Sequence, residues 1–464
     1  MRKTLATLLA AAFLYLMLTA PLSFNSRSMA AATKFYTVAN PIPNRYIVVL
    51  ATTDLSPIAD PAPAPAPKAA MPIGAMDAQT SSMSTSAFSI DSSSASFVAE
   101  PAPDPTVVST ATSLTSTYGG SFSNTWSDAL KGFYLNSTES QAIAMSGDSR
   151  VAFIVQDGAI AVGSPDSTPI AMNIGPTGEP SPRPYAWGLD RIDQRTLPLD
   201  TRTVFHNDGQ GVNAYAIDTG ILTTHYEFNG RASAIYDALE GEGIIGVDCN
   251  GHGSHVAGII GGRTFGVAKQ VHLFSVRVLD CQGTGTWSNV IDGVNFVTWH
   301  SRQPAQQGVP AVANMSLSGN TNRAAEAAVR NSIRAGVTYV VAAGNGNSDA
   351  STYSPAGVVE AITVGATGQN DSRGEFSNYG PVIDLFAPGV SIPSAWIGSD
   401  LMTATATGTS MASPHVAGVV ALYLQNHRTA SPASVRSALV GTSTSGVVIN
   451  PGQESPNRLL FTNY

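Results

Sequence analysis

The chain of 464 residues holds only two cysteines, Cys249 and Cys281, and only 12% of it is charged. Two cysteines permit one disulfide at most in an oxidising compartment and exclude a disulfide-rich scaffold. Lys and Arg number 24 against 32 Asp and Glu, for a formal net charge of −8. With no basic excess, nucleic acid and anionic membranes are excluded as natural partners. What the chain has in quantity is apolar bulk, 43% hydrophobic residues, enough at this length for an ample core and about two or three domains.

Its one long apolar run opens the chain. Met1-Arg2-Lys3, then "TLATLLAAAFLYLMLTAPLSF" and the small residues of "SMAAAT", predict a secretory signal over 1–32, cut near Ala30 to Ala32. That reading sends the protein outside the cell or to a periplasm and leaves it free of the membrane after the cut. The run approaches spanning length, so a retained anchor is the alternative. "NRYIVVL" (Asn44 to Leu50) predicts a strand at the edge or in the core. From about 51 to 106 the chain turns to Pro, Ala and Ser without apolar periodicity, which predicts a disordered insert. Order resumes near Val107, and Leu130 to Val162 reads as strand, polar helix start and strand, a small α+β unit split by the insert. A second Pro/Gly-rich break over 163–184 separates this region, 33–180, from the main domain, 181–464.

There apolar runs alternate with helical segments. Strands are predicted at 212–218, 272–280, 310–317, 337–344, 361–367 and 383–389. Helices are predicted at Ser254 to Gly261, Thr286 to His300, Arg323 to Ala335 and Ser410 to Asn426, the last apolar on nearly every face and therefore buried. Continuous apolar strands between helices predict an α/β fold with a doubly wound, mostly parallel sheet, which places its chemistry at the carboxyl ends of the strands.

Asp218 ends the first of these strands, in "AYAIDTGI". Asn345 follows another, in "VVAAGN", and Ser410 opens the buried helix in "GTSMASPHVAG". "DCNGHGSHVAG" (Asp248 to Gly258) admits two readings: Cys249, His252 and His255 as zinc ligands, or His252 as a catalytic imidazole. A serine hydroxyl is a weak nucleophile near neutral pH until an imidazole takes its proton, and a carboxylate orients that imidazole. Asp218, His252 and Ser410 supply all three groups. Ser410 at a helix N-terminus also directs backbone N–H groups at a developing oxyanion, and the Asn345 amide can join them. Singly, each residue has a plain structural role as turn residue or helix cap. "DTG" also marks aspartic peptidases, but these need two carboxylates and the chain holds one such motif. A non-catalytic scaffold is the other alternative, although none of the four positions is substituted.

"IDTGI", "DCNGHGSHVAGIIGG", "VRVLDCQGTG", "NMSLSG", "VAAGN", "FSNYG", "LFAPG" and "GTSMASPHVAG" together resemble the subtilase superfamily, and within it the aqualysin-like secreted enzymes of the proteinase K subgroup. The resemblance runs from about Trp187 to the C-terminus. It implies a serine endopeptidase, monomeric, acting on proteins or peptides, with Asp218, His252 and Ser410 as the triad and Asn345 as oxyanion donor. It implies a Cys249–Cys281 disulfide in place of zinc; His255, one turn into its helix, and His415, on the buried helix, read as packed core side chains, and His225, after the Asp218 loop, as a surface residue. It makes the α+β unit an inhibitory propeptide that the enzyme itself removes. Substrate would lie extended between Gly283–Trp287, with its glycines Gly283 and Gly285, and Ser316–Gly319, with the S1 pocket between Leu317, Ser318, Gly319 and Ala342–Gly344 and a broad apolar P1 preference. Ser318 stands where the family has glycine, which narrows or polarises the pocket mouth. Two calcium sites are implied: Asp190, Asp193, Gln194 and Asp200 in the first, and Asp384 with carbonyls near Val359 and Ala361 in the second.

Overall fold

The computed structural model describes residues 34–51, 101–162, 168–170, 173–174, 180–181, 184–239 and 245–464. The predicted signal segment and nearly all of the Pro/Ala/Ser insert lie outside the described residues.

The N-terminal layer comprises β1 (Phe35–Tyr36), β2 (Pro41–Leu50), α1 (Pro105–Tyr118), β3 (Ser121–Trp126), β4 (Gly132–Asn136), α2 (Glu139–Ser146) and β5 (Val151–Ala161). The strands form one sheet in the order β1-β5-β2-β4-β3. β2 therefore lies inside the sheet, antiparallel to both β4 and β5, as its buried Tyr46 to Leu50 requires. The chain on either side of the insert thus joins one core. Order begins slightly ahead of the expected Val107, because Asp104 accepts from Thr106 N–H at 2.8 Å and caps a helix that opens on Pro105. At α2, Thr138 and Gln141 form a reciprocal capping box.

Three short strands follow: β6 (Thr168–Ile170), β7 (Asn173–Ile174) and β8 (Pro180–Ser181). The main body then begins with α3 (Trp187–Ile192), β9 (Asn213–Asp218), β10 (Ala232–Asp237), α4 (His252–Gly261), β11 (His272–Arg277), β12 (Thr284–Thr286), α5 (Trp287–Ser301) and β13 (Ala311–Met315). It continues with β14 (Gly319–Asn320), α6 (Arg323–Arg334), β15 (Thr338–Ala342), β16 (Tyr353–Ser354), β17 (Ile362–Thr367), β18 (Leu385–Pro388), β19 (Ile392–Ala395) and β20 (Thr403–Ala406). α7 (Thr409–Asn426), α8 (Pro432–Thr442), β21 (Thr444–Ser445) and β22 (Arg458–Leu459) complete the chain.

The main sheet has the order β10-β11-β9-β13-β15-β17-β18-β22-β21. Every pair is parallel except β21 with β22. Residues of α4, α7 and α8 fill the core on one face. Those of α5 and α6 fill the other, together with Ile47, Val49, Trp126 and Phe153 of the N-terminal layer. The fold is the doubly wound α/β sheet that the sequence predicts, and all six predicted strands and four predicted helices are present. β10, α3 and α8 were not foreseen. The Ala232–Asp237 segment mixes buried with half-buried positions, a weaker signal than the continuous apolar runs of the inner strands.

α7 crosses beneath the centre of the sheet with Pro414 inside it. Proline has no N–H to give to the carbonyl four residues back, that of Ser410. The Ser316 hydroxyl supplies the missing donor at 2.8 Å. The loop after β13 is thereby fixed to the first turn of α7, where Ser410 and Asn345 stand.

Candidate active site

Asp218, last in β9, lies fully buried at the carboxyl end of the sheet. Its Oδ1 accepts from Thr219 N–H at 2.8 Å and from His252 Nδ1 at 2.7 Å. Holding the proton on Nδ1 leaves His252 Nε2 with its lone pair, buried and without a hydrogen-bond partner. Burial alone would lower the pKa of this imidazole; the charge of Asp218 and its hydrogen bond outweigh burial, and the net direction is upward.

Asp248, which the sequence reading did not single out, positions His252. Its Oδ1 accepts from Thr219 Oγ1 and from the N–H groups of Asn250 and Gly251, each at 2.9 Å. Its Oδ2 accepts from Ser254 N–H and Oγ at 2.9 and 2.7 Å. One carboxylate thus ties the start of α4, which carries His252, to the residue after Asp218. An Asp just ahead of an apolar helix was the available signal.

Cys249 and Cys281 form a disulfide, so Cys249 has no thiolate to offer a metal. His255 is buried on α4, and its Nε2 donates to the Ile392 and Ala404 carbonyls at 3.0 and 3.1 Å. Burial pushes its pKa down to about 3, and that of His415, which donates to the Met411 carbonyl, down to about 4. Both are neutral core side chains. His225 is not the surface residue expected. It is 1% exposed, donating from Nε2 to the Met402 carbonyl and accepting Glu227 N–H at Nδ1, because the β19–β20 hairpin folds over it.

Ser410 is the second residue of α7. Its Oγ donates to the Ser316 carbonyl at 3.1 Å. Asn345 stands at the same helix start: its Oδ1 accepts from Thr409 N–H at 2.9 Å and Thr409 Oγ1 at 2.8 Å. With the amide oxygen so engaged, Nδ2 is left facing Gly408, where a Cβ would come within 3.3 Å of it. Asn378, in the "FSNYG" motif, holds this loop by donating to the Ala343 carbonyl and accepting Gly346 and Ser348 N–H.

The groove beside Ser410 is filled by β5. Thr284, Gly285 and Thr286 pair antiparallel with Ala161, Ile160 and Ala159, and on the other edge Ala161 bridges Ser318. The approach is close enough to require glycine. A Cβ on Gly283, whose φ is +73°, would come within 2.6 Å of Val162, and one on Gly319 within 2.9 Å of Ile160 and of Trp287. Leu317 and Ala342 are buried behind the groove. Ser318 Oγ lies 3.2 Å from where a Cβ on Gly344 would stand, so its hydroxyl narrows that side.

Of the two calcium clusters, the first fits a cation in charge. Asp190 Oδ1 is buried without a partner, while its other oxygen takes Thr201 N–H and the Tyr185 hydroxyl. Asp193 is pushed up in pKa by burial and then by the charges of Asp190 and Asp200. Gln194 Oε1 is already turned to Asp200 N–H, and among the described residues no three acidic, His or Cys side chains close into a finished metal cage. The second cluster does not fit: Asp384 Oδ1 accepts from Arg436 Nε and Nη2 at 2.8 and 2.6 Å, and Oδ2 accepts Thr363 N–H. A guanidinium already supplies the positive charge that an ion held by Asp384, Val359 and Ala361 would bring.

Residues 209–459 match the subtilase family model. An extracellular serine proteinase of Thermus sp. (strain Rt41A) is 49% identical over 346 residues, covering 75% of this chain and 79% of that protein. Alkaline serine exoprotease A of Vibrio alginolyticus is 44% identical over 334 residues, 72% of this chain and 59% of the relative. The solved structure of a cold-adapted subtilisin-like serine proteinase superposes with a TM-score of 0.56 at 48% identity, over 59% of this chain and 97% of its own. The chain belongs to the subtilase family of serine proteases.

Proposed function

We propose that the protein is a secreted endopeptidase that cleaves peptide bonds through an acyl-enzyme on Ser410 and is made as a zymogen blocked by its own N-terminal layer. The observation that carries the chemical reading is the buried Asp218–His252 hydrogen bond, which leaves Nε2 buried and unpartnered. An incoming peptide N–H competes for the Ser316 carbonyl and releases the Ser410 hydroxyl to His252. Its oxygen attacks the substrate carbonyl as Nε2 takes the proton, and Asp218 stabilises the imidazolium. Asn345 Nδ2 and the backbone N–H at the helix start receive the oxyanion. His252 then protonates the leaving amine, and water reverses the sequence to free Ser410.

Self-blockade is supported by the path of β5 and by three anchors of the N-terminal layer on one helix, α5. Buried Asp157 accepts from Ser288 N–H and Oγ at the start of α5. The Trp126 indole donates to Asp292, and Asn295 Oδ1 accepts the N–H groups of Ser127, Asp128 and Ala129. Export is supported by the N-terminal apolar run and by the extracellular relative. Calcium at the Asp190 loop would neutralise the repelling carboxylates beside α3 and stabilise the fold without entering the chemistry.

The test is Ser410→Ala, purified free of other proteases. It should neither hydrolyse peptides nor process itself, and a fluorophosphonate should label the wild type at Ser410 only. Normal processing of the variant would overturn the reading.

A further inference from the structure

α4, the helix that carries His252, has no capping side chain at its N-cap, which is Gly251 at φ +107°. The first N–H groups of a helix have no partners within it, and here three side chains meet them. Asn250 Oδ1 accepts His252 N–H at 3.2 Å, and Asp248 Oδ2 accepts Ser254 N–H at 2.9 Å. Between them Thr219 Oγ1 accepts Gly253 N–H at 2.9 Å. Asn250 and Asp248 belong to the turn that leads into the helix. Thr219 follows the last residue of β9, 34 residues before Gly253.

Thr219 is joined to both sides of the Asp218–His252 pair. Its N–H donates to Asp218 Oδ1 at 2.8 Å, the same oxygen that takes His252 Nδ1 at 2.7 Å. Its hydroxyl donates to Asp248 Oδ1 at 2.9 Å while accepting from Gly253, so the one hydroxyl proton is committed and the rotor is fixed. The side chain is fully buried. The two segments meet backbone to backbone: a Cβ on Gly253 would run into the Gly220 carbonyl oxygen, and one on Gly220, at φ +113°, would come within 2.6 Å of Asp248 N. Leu222 N–H, donating to Ser254 Oγ at 2.9 Å, adds a second tie one residue further along α4.

We propose that Thr219 is a positioning residue for the proton transfers of His252, its hydroxyl holding the first turn of α4 at hydrogen-bonding distance from Asp218. The inference rests on the serine-protease reading above and adds a residue that does not itself meet the reacting atoms. His252 must take the Ser410 proton and return it to the leaving amine, and a misplacement of about 1 Å can cost such a step about 10²-fold in rate. Without the hydroxyl, Gly253 N–H loses its acceptor and α4 draws back from β9. The Asp218–His252 bond lengthens, and the attraction that offsets burial at His252 weakens with it. The ionisable groups that bear on this imidazole are Asp218 of β9, Asp248 of the preceding turn and His255 of α4, which is neutral. Substrate binding is left alone, since the partners of Thr219 are Asp218, Asp248 and Gly253 and lie outside Gly283–Trp287 and Ser316–Gly319.

Thr219→Val keeps the backbone N–H and the branched shape and removes the hydroxyl, whereas Thr219→Ser keeps the hydroxyl. Both are made in the full-length chain, and the enzymes are compared at equal concentrations of fluorophosphonate-reactive Ser410. In Thr219→Val, kcat on a short peptide should fall by about tenfold or more, the rate equivalent of one lost hydrogen bond. KM should stay within about twofold of the wild type, and the acid limb of kcat/KM should move to lower pH as Asp218 recedes. Thr219→Ser should recover most of the rate and the wild-type acid limb. A lower melting midpoint with kcat and acid limb unchanged would make the residue merely structural and overturn the proposal, as would Thr219→Ser performing no better than Thr219→Val. If Thr219→Val does not fold, Thr219→Ala is read in its place, and failure of both to give a cooperatively unfolding protein also overturns the proposal. A wild type that neither reacts with the fluorophosphonate nor cleaves peptide sinks the serine-protease reading itself. A wild type that does both and is matched by Thr219→Val sinks only the role of Thr219.

Discussion

Ser316 and Ser410 hold each other reciprocally: the Ser410 hydroxyl donates to the Ser316 carbonyl at 3.1 Å, and the Ser316 hydroxyl donates to the Ser410 carbonyl at 2.8 Å. The second bond exists because Pro414 has no N–H to offer, so the proline inside α7 and the serine of the substrate loop are parts of one device. Asn314 extends it, donating to Ser316 Oγ and accepting from Ser413 Oγ. Ser316→Ala leaves a buried carbonyl unpaired, at a cost of about 1–3 kcal/mol. Thermal unfolding should show a lower midpoint, together with a lower kcat as the start of α7 loosens. A midpoint equal to that of the wild type would mean the bond contributes nothing.

Asn345→Ala should fold normally and lose about 10²–10³-fold in kcat with little change in KM. That scale is taken over from subtilisin, a relative, where one such donor was removed. The Thr409 bonds fix which end of the amide faces the reaction, so Asn345→Asp, which lacks the N–H, should lose as much. Steady-state kinetics on a short peptide decides, and an unchanged kcat in either variant contradicts the oxyanion role.

The upward shift of His252 sets the acid limb of the rate. Nε2 acts only when unprotonated, so kcat/KM should fall as pH drops through a value above the ordinary 6.5. The stability contributed by the protonated His252–Asp218 pair runs the other way: present below 6.5, it is lost as pH rises through the raised value. Asp218→Asn removes the charge that raises the pKa and should move the acid limb down while lowering the rate by orders of magnitude. An acid limb at the same pH in both proteins would assign it to another group.

Ser318→Gly removes the hydroxyl that faces Gly344. The ratio of kcat/KM for peptides with Phe before the cut to those with Ala should rise. An unaltered ratio would place Ser318 outside the specificity pocket.

The sheet is legible in the sequence because its inner strands are nearly continuous apolar runs; Asp218 is marked as the carboxylate ending one of them, and His252 and Ser410 as polar residues opening apolar helices. What escaped is what distant segments bring together. Arg436 reaches Asp384 from α8, and no local pattern announces that a guanidinium will stand beside that carboxylate. His225 reads as exposed until the β19–β20 hairpin covers it. Asp248 looks like one more turn residue, and its contact with Thr219 appears only when β9 and α4 converge. The β5 register is likewise a pairing between segments more than a hundred residues apart, which periodicity within either cannot reveal.

The two acidic clusters call for opposite outcomes when calcium is removed. At the Asp190 loop an unpartnered buried carboxylate oxygen and the mutual repulsion of Asp190, Asp193 and Asp200 favour a bound cation. A ligand that binds only the folded state stabilises it as RT ln(1 + [L]/Kd), so millimolar calcium over a micromolar site gives about 4 kcal/mol. Chelator should therefore shorten the half-life of the wild type at high temperature, and Asp193→Ala should already show that shorter half-life and respond weakly to chelator. At Asp384 the Arg436 guanidinium does the neutralising, so Arg436→Met should lower stability by the same amount with and without chelator. Four equal half-lives for wild type and Asp193→Ala, each with and without chelator, would rule out the first loop as a stabilising site. A full chelator effect surviving in Asp193→Ala but lost in Asp384→Asn would move the ion to the second cluster and show that Arg436 yields to it.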